Sequence, residues 1–260
     1  MKIKLYQIDA FTSHVFSGNP AAVCPLEGWL EDIQLQNIAA ENNLAETAFY
    51  VKTKDGYHIR WFTPVAEVDL CGHATLAAAH VIFNFPTDAS TSVSFQSKSG
   101  ILTVTRNQEW YTLNFPSDKV RPIAVTPELI ACIGKNPVEG YQGLSDTMLV
   151  YSSRQEIEQA VPDLSKIAQL KARGLIITAP GTDTDFVSRF FAPQFGINED
   201  PVTGSAHATL TPYWSRRLGK LELTARQISK RIPRKTWPSW PAIGACAAGT
   251  PCGRISCCGH

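Results

Sequence analysis

Arg60-Trp-Phe-Thr-Pro64 recurs in this chain as Arg189-Phe-Phe-Ala-Pro193. Cys71-Gly-His-Ala-Thr-Leu76 follows the first copy, and Gly204-Ser-Ala-His-Ala-Thr-Leu210 follows the second. Two matches in the same order and at similar separation predict two lobes of related architecture. In each lobe an apolar strand ends at a proline, a polar loop with acidic residues follows, and a glycine opens a helix. The polar stretch Pro116-Ser-Asp-Lys-Val-Arg-Pro122, between proline breakers, places the boundary. The expected organisation is an N-terminal lobe over 1–116, a C-terminal lobe over 117–231 and a tail over 232–260.

Periodicity fills in the lobes. Leu5–Phe11 reads as a strand. Leu30–Asn42 reads as an amphipathic helix with Ile33, Leu35, Ile38 and Ala39 on its apolar side and Asn42-Asn43 suited to its C-terminal cap. Strands are expected at Glu46–Val51 and His58–Phe62. Ala74–Phe83 is apolar nearly all round, so its helix is expected to be buried on every side. Three strands follow at Ser92–Gln96, Ile101–Arg106 and Trp110–Phe115. The second lobe reads as strands at Thr147–Tyr151, Leu175–Thr178, Asp185–Phe191 and Arg226–Lys230, with its counterpart helix over Ser205–Leu218. Strands outnumber helices and do not alternate with them. The fold class is therefore α+β: two pseudo-symmetric lobes, each a twisted, mostly antiparallel sheet or barrel wrapped around one central helix.

Charge excludes some partners. Lys and Arg total 24 against 23 Asp and Glu, with no basic block, which argues against nucleic acid or a membrane surface. No run reaches the roughly 18 apolar residues of a membrane helix, and Met1–Ala10 lacks a signal-peptide core, so a cytoplasmic location is expected. Seven cysteines without a secretory signal argue against a disulfide framework. Four of them, Cys246, Cys252, Cys257 and Cys258, crowd the tail without a C-x2-C pair, and no zinc site is expected there.

The chemistry-bearing residues gather at the two helix starts. Unpaired N–H groups and the positive end of the dipole make such a start a site for a carboxylate or a developing enolate. Gly72 and Gly204 either let a ligand approach the backbone or serve only as turn residues. Glu46, set among Leu44, Ala45 and Ala48, is either a buried acid/base with a raised pKa or a solvated strand-end glutamate. His73 and Asp200 lie at comparable places around the loops leading into the two helices. A histidine there orients a carboxylate or an oxyanion, or else is structural. His58, His80 and His207 have no evident acidic partner and read as structural. Cys71 sits where a thiol base would, but Asn198-Glu-Asp-Pro-Val-Thr-Gly-Ser205 offers no second thiol. A symmetric two-thiol mechanism is thereby excluded, and Cys71 reads as a small buried residue.

Asp9-Ala-Phe-Thr12, Gly18-Asn-Pro-Ala-Ala-Val23, Leu44-Ala-Glu-Thr-Ala-Phe49, Cys71-Gly-His-Ala-Thr75 and Glu199-Asp-Pro-Val-Thr-Gly-Ser-Ala206 together resemble the phenazine-biosynthesis PhzF-like family. That family has the diaminopimelate-epimerase-like fold. The resemblance implies two lobes with the active site between them, a homodimer, and an isomerase that needs no metal or organic cofactor. It implies that Glu46 shuttles a proton between carbons of a small unsaturated cyclic amino acid. It further implies that His73, Asp200 and Ser205 line the site, with Asn19 near the substrate. The expected partner is a small-molecule carboxylate. A one-thiol epimerase using Cys71 and a non-catalytic binding protein that keeps the cleft are the competing readings.

After Arg231 the resemblance stops. Ile232–His260 holds four prolines and four cysteines, with no alternation suited to a strand. A reading frame shifted near residue 231 is the expectation, with unpaired strand edges as its cost. Mass spectrometry with resequencing of the gene tests it, and a correct frame with an ordered tail pairing with the sheet rejects it.

Overall fold

Both units are organised by which sheet faces are apolar. The computed structural model describes residues 2–12, 18–85, 90–108, 110–115, 117–230, 243–244 and 253–258. They divide into Met1–Asn114 and Phe115–Arg254, with Ile255–His260 grouped with the first.

The first unit runs β1 (Tyr6–Ala10), β2 (Asn19–Leu26), α1 (Asp32–Asn42), β3 (Glu46–Thr53), β4 (Gly56–Phe62), β5 (Glu67–Val68), α2 (Gly72–Asn84), β6 (Ser92–Ser97), β7 (Gly100–Asn107) and β8 (Trp110–Phe115). Its sheet order is β1-β2-β3-β4-β6-β7-β8, with β5 beside β4. Pairing is antiparallel except for β2–β3 and β4–β6. Every residue from Gly72 to Phe83 is buried, as the all-round apolar pattern requires, and α2 packs on β1, β2 and β3. On the opposite face α1 covers Cys24, Phe49 and Phe62 with Leu35 and Ala39. Strand β2 is thus covered on both sides, and Ala21 to Cys24 are all fully buried. Such a strand has no period-two alternation to read, and its two prolines hide it further. Sequence reasoning placed no strand there. Asn43 closes α1 in the left-handed region (φ 50°), with its N–H on the Ala39 carbonyl, as expected of an Asn cap. Ile33, assigned to the buried side of α1, is 65% exposed and points away from that core.

The second unit runs β9 (Arg121–Ile123), α3 (Pro127–Ile133), β10 (Glu139–Gln142), β11 (Asp146–Val150), α4 (Arg154–Gln159), α5 (Leu164–Ile167), β12 (Gly174–Pro180), β13 (Phe186–Ala192), β14 (Ile197–Asp200), α6 (His207–Leu218), β15 (Glu222–Leu223) and β16 (Ala225–Gln227). The sheet order is β14-β13-β12-β11-β10-β9, with β16 beside β13. Alternation splits its two cores cleanly. Met148, Val150, Ile176, Phe186 and Phe190 face α6, while Leu149, Leu175, Ile177, Val187 and Phe191 face α3, α4 and α5. Helix α6 begins at His207, two residues later than expected. Gly204 to Ala206 form a tighter turn ahead of it, with His207 N–H bonding the Gly204 carbonyl and Ala208 N–H bonding the Ser205 carbonyl. Pro212 lies inside α6 and has no N–H for the Ala208 carbonyl. Asp118 N–H takes that carbonyl at 3.0 Å, and the Asp118 carboxylate accepts from Thr209 Oγ1 and Leu144 N–H. The helix-breaking residue thereby becomes a docking point for the loop before β9.

The repeat has one physical meaning in both units. Arg60 on β4 makes a bidentate pair with Glu67 (2.7 and 2.9 Å) and lies over the Phe62 ring. Arg189 on β13 does the same with Glu199 (2.6 and 3.0 Å) and with Phe191. Each arginine ties its strand to the short acidic strand that leads into the main helix.

In the tail, β17 (Ile243–Gly244) pairs with β15, and β18 (Gly253–Cys258) lies beside β8. This corrects the expectation that the tail holds no strand-forming segment. Backbone ladder groups on an open edge accept any extended chain, whatever its side chains. The other tail residues lie outside the described set.

Candidate active site

Strand register assembles the first cluster. Ala21 pairs with Glu46 across β2–β3, so Asn19, two residues before Ala21, shares a sheet face with Glu46. The bend before Asn19 requires Gly18, whose φ is +72° and where a Cβ would collide with the Ala10 carbonyl oxygen. His73, the second residue of α2, and Cys71, its N-cap, complete the group. Asn19, Glu46, Cys71 and His73 are all buried, with Glu46 the most exposed at 8%. His73 Nε2 lies 3.4 Å from Glu46 Oε2, close enough for electrostatic coupling but off hydrogen-bond alignment. His73 Nδ1 lies 3.4 Å from Asn19 Nδ2 and 3.5 Å from Cys71 Sγ. Burial pushes the His73 imidazole down to about 3, against a weaker upward pull from a hydrogen bond with the Pro20 backbone. The ring is therefore neutral at physiological pH. A buried carboxyl group beside a neutral imidazole is suited to carrying a proton to and from a bound molecule.

A second cluster forms at the turn before α6. Asp200 ends β14, is 4% exposed, and accepts from Thr203 Oγ1 at 2.6 Å. Gln227 on β16 locks that turn: its Nε2 donates to the Asp200 carbonyl at 2.6 Å, and its Oε1 accepts from Thr203 N–H at 2.8 Å. Arg173, just before β12, holds Asp146 in a bidentate pair and donates to Ser205 Oγ at 3.0 Å. Since arginine only donates, Ser205 Oγ accepts there and its own proton is left to give to an acceptor such as a carboxylate. Gly72 and Gly204 are both outside the positive-φ region, so neither is required as glycine by backbone conformation. Sequence reasoning missed Arg173, Asp146, Thr203 and Gln227. A charged residue directly before an apolar strand is the one signal that marks Arg173.

His207 is buried with Nδ1 on the Thr203 carbonyl at 3.0 Å, and burial lowers its pKa to about 4. An unfolded chain holds histidine near its ordinary value of about 6.5, so between roughly pH 6.5 and 4 it binds more protons than the folded one. Stability is therefore lost as pH falls through that window and is unaffected by His207 above it. His207→Gln should flatten the acid limb of a urea-midpoint-versus-pH curve by up to about 1 kcal/mol per pH unit. An unchanged slope would refute the assignment.

A mixed sheet packed on one buried helix, occurring twice, is a fold shared with solved structures described as a predicted epimerase, a probable proline racemase and a hydroxyproline epimerase. Hydroxyproline epimerase from Agrobacterium vitis superposes with a TM-score of 0.60 over 98% of this chain and 88% of its own, at 10% identity, a likeness of fold alone. The chain belongs to the phenazine biosynthesis-like PhzC-PhzF family, whose model matches residues 8–234. The tail from residue 235 onward lies outside that match. An uncharacterized isomerase of Pseudomonas aeruginosa is 48% identical over 231 residues, covering 89% of this chain and 88% of the relative. The crystal structure of a PhzF-family protein from Enterococcus faecalis is 44% identical, with a TM-score of 0.88 over 99% of this chain and 96% of its own. This protein is an isomerase. No helix among the described residues is long and apolar enough to cross a membrane.

Proposed function

We propose that the enzyme moves a proton between carbons of a small amino or hydroxy acid, cyclic and unsaturated in the favoured case, with Glu46 as the acid/base and no cofactor. The observation that carries this reading is the buried Glu46 carboxyl 3.4 Å from an imidazole held neutral by its surroundings. His73 keeps Glu46 in place, and Asn19 and Gly72 border the same pocket. Asp200, Gly204 and Ser205 contribute to holding the substrate, Ser205 as a donor to its carboxylate.

The test is solvent exchange. Candidate cyclic acids, first screened for stabilising shifts in melting temperature, are incubated with the enzyme in deuterated water. Label should enter carbon in the parent protein and not in a folded Glu46→Gln variant. Equal labelling by that variant would remove Glu46 from the mechanism, and binding without any exchange would favour a non-catalytic binding protein.

One contact favours a second reading. Cys71 Sγ lies 3.5 Å from His73 Nδ1, so a one-thiol epimerase has a base available to deprotonate it. Iodoacetamide on the parent and the Cys71→Ala substitution would each abolish that activity. A Glu46 enzyme keeps its turnover in Cys71→Ala.

A further inference from the structure

Ser205 is engaged on one side only. Its hydroxyl oxygen accepts from Arg173 Nη1 at 3.0 Å, while its proton meets no acceptor among the described residues. At 7% exposure the residue is buried, and a buried donor calls for a partner. The N–H groups of Gly204, Ser205 and Ala206, in the same buried turn, also meet no acceptor among the described residues. Donors with no acceptor of their own suit an incoming anion. Arg173 is built to keep the hydroxyl still. Register sets Asp146 opposite Gly174 in the parallel β11–β12 pair, so Arg173 stands one residue before that partner. Its N–H donates to the Ser145 carbonyl at 2.6 Å, and Gln194 Nε2 donates to its carbonyl at 2.6 Å. Nε and Nη2 hold the two Asp146 oxygens at 2.9 and 2.5 Å. The guanidinium lies over the Phe190 ring, 5.4 Å from its centroid. Gly174 leaves room for that ring, since a Cβ there would come within 2.3 Å of Phe190 Cζ.

We propose that Arg173, braced by Asp146, is a positioning residue: it fixes the Ser205 oxygen so that the hydroxyl proton is presented to a substrate carboxylate, and the turn thereby selects acids over their neutral amides. The idea rests on the reading of Ser205 as a substrate contact. Asp146 balances the guanidinium charge, so what Arg173 supplies is direction, through a rigid fork that lysine lacks. The resulting chain from guanidinium to hydroxyl to carboxylate is cooperative, because the cation polarises the O–H bond and strengthens its donation. A carboxylate brings only lone pairs to the Ser205 hydroxyl and the turn N–H groups. A carboxamide sets two N–H donors of its own against them and leaves buried donors unsatisfied.

The probe is 2-aminobenzoate, a small unsaturated cyclic amino acid, with 2-aminobenzamide as its neutral match. The fluorescence of each reports its binding to the full-length protein. The parent should bind the acid at least about tenfold more tightly than the amide. Ser205→Ala should weaken the acid about tenfold or more. Arg173→Lys, which keeps a cation beside Asp146, should weaken it about three- to tenfold, with the amide changed less than about twofold. The double variant should bind the acid no more weakly than Ser205→Ala alone, because Arg173 acts only through that hydroxyl. Should Arg173→Lys not fold, Arg173→Met combined with Asp146→Leu removes the guanidinium together with the buried charge it balances, and enters the same cycle. Losses that multiply in the double variant would mean that Arg173 meets the ligand directly, and they overturn the positioning role. Equal loss for acid and amide would mark a merely loosened turn and overturns it too. Equal affinity of the parent for acid and amide, or binding of neither, overturns the selection of acids. Glu46 is judged by solvent exchange and takes no part in this cycle, so a failure of either reading leaves the other standing.

Discussion

Glu46→Gln should lower the rate of solvent-deuterium incorporation by about 10²- to 10⁴-fold while leaving the melting temperature within a few degrees of the parent. Gln keeps the shape of the side chain and removes only the ability to gain and lose a proton. The folded state should tolerate it, because Gln is nearly isosteric with Glu and Oε2 at the start of β3 faces a neutral His73. Glu46→Asp makes the sharper comparison. It retains the acid but withdraws it by about 1 Å, which in a positioned proton transfer costs about 10²-fold. A Gln variant as slow as predicted with an Asp variant in between would identify proton transfer as the lost step. An Asp variant no better than Gln would indicate that placement of the carboxyl is as critical as its presence. Mass spectrometry of the recovered acid reads both rates.

Arg189→Met should cost about 3 to 5 kcal/mol of folding stability, the larger of the two repeat-arginine effects. Arg189 is 1% exposed and gives four hydrogen bonds: two to Glu199, one to the Ile157 carbonyl and one to the Ala160 carbonyl. Methionine fills most of the volume but leaves a carboxylate and two carbonyls without their donor. Urea denaturation of both proteins measures the loss. Adding Glu199→Leu should recover a substantial part of it, because the uncompensated charge is then gone. Arg60→Met in the first unit should cost less. There Arg60 is 15% exposed, one of its two carboxylates, Asp32, is 79% exposed, and solvent screens what remains. Equal losses at both positions would show that burial does not govern the difference. Glu199 adjoins Asp200, so exchange activity should fall in Arg189→Met even at temperatures where the variant is folded.

The elements that were legible in advance share a property: their pattern is local. Helix α2 could be read because Ala74–Phe83 is apolar nearly all round, and β6, β7 and β8 because their faces alternate. Strand β2 was not legible, since being covered by α1 on one side and α2 on the other erases alternation. Helices α3, α4 and α5 were missed because they are one or two turns long, too short for a helical period to develop. The turn before α6 was misassigned to the helix because Gly204-Ser205-Ala206 has no stop signal. Its geometry follows from Gln227, more than twenty residues away, holding Asp200 and Thr203.

The first cluster was legible in its members and not in its chemistry. Glu46, His73 and Cys71 were marked by their places around a strand start and a helix start, and Asn19 only by the family resemblance. Cys71 was set aside as a packing residue, and its contact with His73 came only from the fold. Arg173 and Asp146, which orient Ser205, carried no comparable mark.

The amino-acid order by itself determined that the chain is duplicated, that each half pairs strands around a principal helix, and which residues stand at the helix mouths, because strand and helix periods are written in consecutive side chains. Tertiary structure decided the electrostatics. Whether Glu46 is solvated and whether His73 carries a charge depend on how much water the surrounding sheet excludes and on a backbone group more than fifty residues away at Pro20. Desolvation is a property of the packed neighbourhood, summed over residues remote in the chain, and no local pattern encodes it.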